Sequence, residues 1–132
     1  MFQIIYMKTF KSLIVLAALA LFAINGKAQD TTAAAVMPKA QKAVNYIKEK
    51  IAGITLSQEN NILAVEIEYI KEQEAAKISS KGDKDIQECK MRPLPIKRDM
   101  KIKTILTDTQ YKQYTKLVKT DYKFKTDCDG YK

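Results

Sequence analysis

The sequence predicts an all-α protein, a small helical hairpin or a bundle of about four helices. Three observations lead there. Apolar residues recur at helical spacing from Ala40 onward, helix-start signals precede these runs, and the one stretch that alternates as a strand would, Tyr122-Lys-Phe124-Lys-Thr126, has no β-branched partner run of similar length.

With 132 residues there is room for one domain, and its first segment is expected to leave before folding. Residues 1–28 read as a secretory signal peptide: Lys8 and Lys11 form the positive region, residues 13–24 are uncharged and apolar, and Gly26-Lys27-Ala28 offers a small residue at the cleavage edge. At ~1.5 Å per residue the apolar run spans about 18 Å, short of a ~30 Å hydrocarbon core, which disfavours a permanent membrane anchor. Met7 opens a more typical signal than Met1 and is an alternative start; no cysteine near Ala28 offers a lipid attachment point. A periplasmic or secreted location is therefore expected.

Beyond Ala28 the chain carries 20 basic and 15 acidic residues, and Leu, Ile, Val and Phe make up 21 of 104. That is close to the ~20% level below which charged chains tend to stay disordered. A thin core follows, and with it amphipathic helices that share their apolar faces with a second copy, a partner or a client.

Residues 29–37 look like a mobile leader ahead of a single helical domain over 38–132. Ala40, Ala43, Val44, Ile47 and Ile51 then form one helical face, with Pro38 suited to a first turn and Gly53 to the position past the end, so a helix is predicted over about 38–52. The next is predicted to start at an N-cap Ser57 and to run to about residue 78. Its wide apolar face comprises Leu63, Ile67, Ile70 and Ile78, broadened by Ile62, Val65 and Tyr69, while Glu66, Glu68, Glu72 and Glu74 make the remainder acidic. Such a face serves an ordinary core or a client or dimer surface.

A polar loop over 79–85 and a helical turn over 86–91 follow, and Pro93 and Pro95 break any continuous helix through them. Residues 96–106 fit both helix and strand; the missing strand partner favours helix. The clearest local signal is Leu106-Thr107-Asp108-Thr109-Gln110-Tyr111: Thr107 and Gln110 form a capping box and Leu106 with Tyr111 a hydrophobic staple. Tyr111, Tyr114, Leu117, Val118 and Tyr122 extend it into a helix over about 108–123.

The string Leu106-Thr107-x-x-Gln110 resembles the motif of the Spy/CpxP-like LTxxQ family of periplasmic proteins, and Leu56-Ser57-Gln58-Glu59-Asn60 looks like a degenerate first copy, with Ser57 for Thr and Asn60 for Gln. The resemblance implies long bent helical hairpins, often dimerised as a cradle, that bind unfolded or partner proteins without ATP or act as envelope-stress adaptors. The alternative is that each string is only a good capping box.

Charge divides along the sequence: residues 29–80 carry 6 basic and 7 acidic groups, residues 81–132 carry 14 and 8. The basic half would steer acidic clients or an anionic membrane surface toward the protein, unless its lysines form only a solvated face. No nucleic-acid motif is present, so no nucleic-acid partner is expected. The absence of histidine removes Ser-His-Asp and Cys-His triads, HExxH sites and Cys2His2 fingers, and a catalytic role for Cys89 and Cys128 would need a CxxC or an adjacent base. Neither an enzyme, a cofactor nor a metal site is expected; Asp127-Cys128-Asp129-Gly130 starts like a calcium loop but lacks the later ligands.

If the chain turns near Leu106, antiparallel segments bring Cys89 and Cys128 together, which favours an intramolecular disulfide over an intermolecular one or free thiols. The functional expectation is an exported protein-binding protein. Leu63, Ile67, Tyr69 and Ile70 would supply apolar contacts, and Arg98, Lys101 and Lys112 would meet acidic patches; the rival is an assembly subunit that buries the same faces in an oligomer.

Overall fold

The computed structural model describes residues 33–118 and 127–131; the predicted signal peptide lies outside the described residues. Five α-helices form: α1 (Ala33–Lys50), α2 (Leu56–Ser79), α3 (Lys84–Met91), α4 (Pro93–Ile105) and α5 (Asp108–Leu117), followed by a 3-10 turn (Asp129–Tyr131). Only Arg92, itself helical in φ and ψ, separates α3 from α4. No strand occurs among the described residues, so the all-α expectation holds and residues 96–105 are helix.

α1 begins five residues before Pro38, inside the stretch read as a mobile leader, and Val36 is buried there. Alanine-rich sequence favours helix, and a proline in the second turn removes one bond, the donor to the Ala34 carbonyl, at an exposed residue that water can serve. Val36, Ala40, Val44, Ile47 and Ile51 then form one buried line at spacings of three and four. After Ile51 the chain turns through Gly53, whose φ of +74° is left-handed backbone that suits glycine, in agreement with its predicted place past the helix end.

α2 is the central helix, packed against α1, α3 and α4, while α5 packs on α1 and α4. Its buried line is Ile62, Glu66, Ile70 and Ala76 rather than the face centred on Leu63 and Ile67, which are half-buried, and Ile78 is half-exposed instead of joining the core. Ser80 ends α2, its hydroxyl donating to the Lys77 carbonyl at 2.7 Å; Asp83 caps α3 by accepting from the Asp85 and Ile86 amides. Pro93 and Pro95 occupy the first turn of α4, where a missing N–H costs nothing, so they start a helix as well as interrupt one.

One core joins Val44, Ile47, Ile51, Ile62, Ile102, Leu106 and Tyr114, and a smaller cluster joins Val36, Ala40 and Ile70. α5 stops at Leu117, because Val118 is extended (φ −88°, ψ 112°), six residues short of the expected end. Neither Gly nor Pro marks this end in the sequence; Tyr122 lies outside the described residues. Cys89 and Cys128 form an intramolecular disulfide with Cα atoms 5.5 Å apart, tying α3 to the C-terminal segment.

Candidate functional site

Two helix starts meet through their glutamines, Gln110 buried and Gln58 half-buried. Thr107 caps α5 as expected: its hydroxyl accepts the Gln110 amide at 3.2 Å, and the Gln110 carboxamide oxygen accepts the Thr107 amide at 3.0 Å. The first copy lies in a different register from the one read at Leu56, Ser57 and Asn60. Thr55 caps α2 and Gln58 closes the box, at 3.1 and 3.0 Å, so the true string is Ile54-Thr55-Leu56-Ser57-Gln58.

Leu56 and Ser57 are therefore first-turn residues, Leu56 is 72% exposed, and Asn60 stands on the surface without a capping role. The signal was legible, since Thr55-x-x-Gln58 repeats Thr107-x-x-Gln110 literally with Ile54 in the place of Leu106; anchoring the motif on Leu56 hid it.

The boxes bond to each other. Gln58 Nε2 donates to Gln110 Oε1 at 2.8 Å and to the Ile105 carbonyl at 3.1 Å; Gln110 Nε2 donates to Gln58 Oε1 at 3.3 Å and to the Gly53 carbonyl at 3.0 Å. Each glutamine thus caps its own helix and satisfies a carbonyl of the turn before the other. Buried amides are costly unless fully bonded, and here the pairing is reciprocal.

A second polar group lies where α2, α4 and α5 converge. Arg98 Nε and Nη2 each lie 3.0 Å from Asp99 Oδ1, the Tyr114 hydroxyl donates to the same oxygen at 2.7 Å, and the guanidinium sits 4.5 Å from the Tyr69 ring centre. Arg98 is thus an internal residue, not a docking charge for acidic clients. Glu66 is 4% exposed; burial pushes its carboxyl up, with the nearby Arg98 charge pulling the other way and Asp99 adding to the rise. Burial and the bond to Asp99 push the Tyr114 phenol up as well. Beside Glu66, Arg98 and Tyr114 lies a part-open cavity of about 120 Å³, walled by Ala43, Tyr46 and Ile47 of α1 and by Leu117 and Val118.

Comparison of the chain with protein-family models, curated proteins and solved structures finds no match. The reading of its surface consequently rests on the residues themselves.

Of the remaining expected contact residues, Ile70 is buried against Val36 and Ala40, and Leu63, Ile67 and Tyr69 are half-buried over the same cluster. They belong to the α1–α2 core. Lys101 pairs with Glu68, and Lys97 with Glu72 and, at 3.2 Å, with Glu68. Basic α4 therefore spends two lysines on acidic α2, and the charge division seen along the sequence becomes attraction between neighbouring helices. Those bonds hold the Glu68 carboxyl below its usual range, Lys101 first and Lys97 second. Lys112 is exposed on α5.

The apolar surface that is accessible lies elsewhere. Ile96 is 52% and Met100 66% exposed, and with Pro93 they form the outward stripe of α4, flanked by the stems of Lys97 and Lys101. The sequence analysis assigned Ile96 and Met100 only to a helix; an unpaired i, i+4 apolar step beside two lysines was the available signal.

Proposed function

We propose that this chain is an exported, ATP-independent protein-binding protein, chaperone-like or an envelope-stress adaptor, released by signal cleavage near Ala28. The observation that carries the reading is the exposed α4 stripe of Pro93, Ile96 and Met100. Apolar area of this kind, rimmed by cationic stems, suits apolar stretches of unfolded polypeptide, with methionine adapting to varied side chains. Two linked Thr-x-x-Gln caps support the resemblance to the Spy/CpxP-like LTxxQ family, more strongly than the Leu56 register did.

Light scattering of an aggregating model protein, with the purified chain added at equimolar amounts, without ATP and with the cysteines oxidised, tests the reading. Suppression is expected. A folded protein that fails to suppress, and sediments as a permanent oligomer, would instead be an assembly subunit that buries the same stripe.

A further inference from the structure

Oxidation has few places to act on this chain. Both cysteines are consumed in the Cys89–Cys128 disulfide, and the sequence contains no tryptophan. Methionine thioethers are therefore the side chains that a two-electron oxidant such as hydrogen peroxide attacks first. Three methionines, Met37, Met91 and Met100, lie among the described residues, and their surroundings differ. Met91 is half-buried, and its sulfur accepts the Gln87 carboxamide N–H at 3.6 Å, which engages a lone pair. Met37 is 41% exposed on α1, and Met100, at 66%, is the most open of the three.

The position of Met100 adds to its exposure. It stands about one helical turn beyond Ile96 and two beyond Pro93 in the outward stripe of α4, between Lys97 and Lys101. Those two lysines are committed to Glu68 and Glu72, so the apolar character of the stripe rests on three side chains. Turning one of them into a sulfoxide adds a polar oxygen that must be desolvated whenever an apolar segment covers the stripe. Since Ile102, not Met100, enters the core, the added oxygen leaves the packing intact.

We propose that Met100 is an oxidative modification site that regulates the α4 stripe: peroxide converts its thioether to the sulfoxide and weakens the hold on apolar polypeptide, and reduction restores it. The sulfur lone pair attacks one peroxide oxygen, and the O–O bond breaks as the S–O bond forms. The departing hydroxide takes up the remaining proton and leaves as water, so sulfur loses the two electrons that peroxide gains. In the reverse step a dithiol reductant becomes a disulfide and the oxygen leaves as water. The consequence for binding, though not the site of oxidation, rests on the protein-binding reading above.

Limited hydrogen peroxide, removed with catalase before assay, tests this on the purified, disulfide-bonded chain. Peptide mass mapping should find the added oxygen on Met100 earliest, ahead of Met37 and about tenfold faster than on Met91. Once Met100 is converted, suppression of light scattering should fall at least threefold while the urea midpoint stays unchanged. Methionine sulfoxide reductase with a dithiol should restore the suppression. Met100→Leu keeps the apolar face without the sulfur, so it should suppress like the parent and lose nothing after peroxide. Met100→Gln, polar at the same place, should behave without peroxide as the oxidised parent does.

Conversion of Met37 or Met91 before Met100, full suppression by the chain oxidised at Met100, no recovery on reduction, or an equal loss in peroxide-treated Met100→Leu would each overturn the proposal. An unoxidised chain that does not suppress at all would instead overturn the protein-binding reading, and the regulation with it.

Discussion

Gln110 is buried and holds together two helix starts, so it is the residue whose loss should be felt most. Gln110→Ala removes the N3 side of its own capping box and leaves the Gly53 carbonyl and the Gln58 carboxamide without its bonds. A loss of roughly 2–4 kcal/mol is expected from the cap and the orphaned groups together, read as a fall in the urea midpoint. Gln58→Ala should cost less, since Gln58 is only partly buried, and the double variant should fall short of the sum by about 1 kcal/mol, the coupling expected of side chains in direct contact.

Glu66 behaves in the opposite sense to most carboxylates. Its folded-state value is raised, chiefly by burial, so the folded protein holds its proton more tightly and stability contributed by this group falls as pH rises through that raised value. Replacement by Gln, which mimics the protonated form, should raise Tm at a pH above that raised value, by roughly 4–8 °C for a gain of order 1 kcal/mol, and change little below the ordinary carboxylate range. For Glu68, held low by Lys101 and Lys97, stability is present above the unfolded value and lost as pH falls through the folded one.

Among the elements, α4 presents different faces to different tasks. Ile102 enters the core, Arg98 and Asp99 form the internal polar cluster, Lys97 and Lys101 reach to α2, and Ile96 with Met100 faces outward. Ile96→Lys with Met100→Lys should therefore reduce aggregation suppression several-fold while changing stability by less than about 0.5 kcal/mol, the ordinary range for surface substitutions. Placing charge at Ile67 and Ile70 would not make this test, because Ile70 is buried against Val36 and Ala40 of α1 and a charge there should destabilise the helix pair itself. Equal suppression by the α4 variant and the parent protein would count against the stripe.

At the scale of the whole molecule, the core is thin and the covalent link between α3 and the C-terminal segment carries weight. Cys89 and Cys128 are 39 residues apart, and closing such a loop restricts the unfolded chain by roughly 3–4 kcal/mol in the chain-entropy model. Reduction, or Cys89→Ser with Cys128→Ser, should lower the urea midpoint accordingly without changing the helix content of the remaining folded fraction. Surface pairs such as Lys48–Glu59 at 2.7 Å and Lys39–Glu74 at 3.5 Å align α1 with α2 but contribute at most about 1 kcal/mol each.

Helix identity, the Thr107 cap, the Gly53 turn and the buried line from Ala40 to Ile51 were all determined by the sequence, because each rests on interactions within a few residues. Even the Thr55 box was legible, though its register was misread at Leu56. Tertiary structure alone decided that Glu66 shares a buried line with Ile62 and Ile70, that Arg98 turns inward to Asp99, and that Ile96 and Met100 remain outside. A wide apolar stripe on α2 is compatible with several neighbours, and periodicity cannot choose among them. The choice was made by the Gln58–Gln110 bonds and by the packing of α1 and α4 on α2, which join residues dozens of positions apart and leave no mark on local spacing.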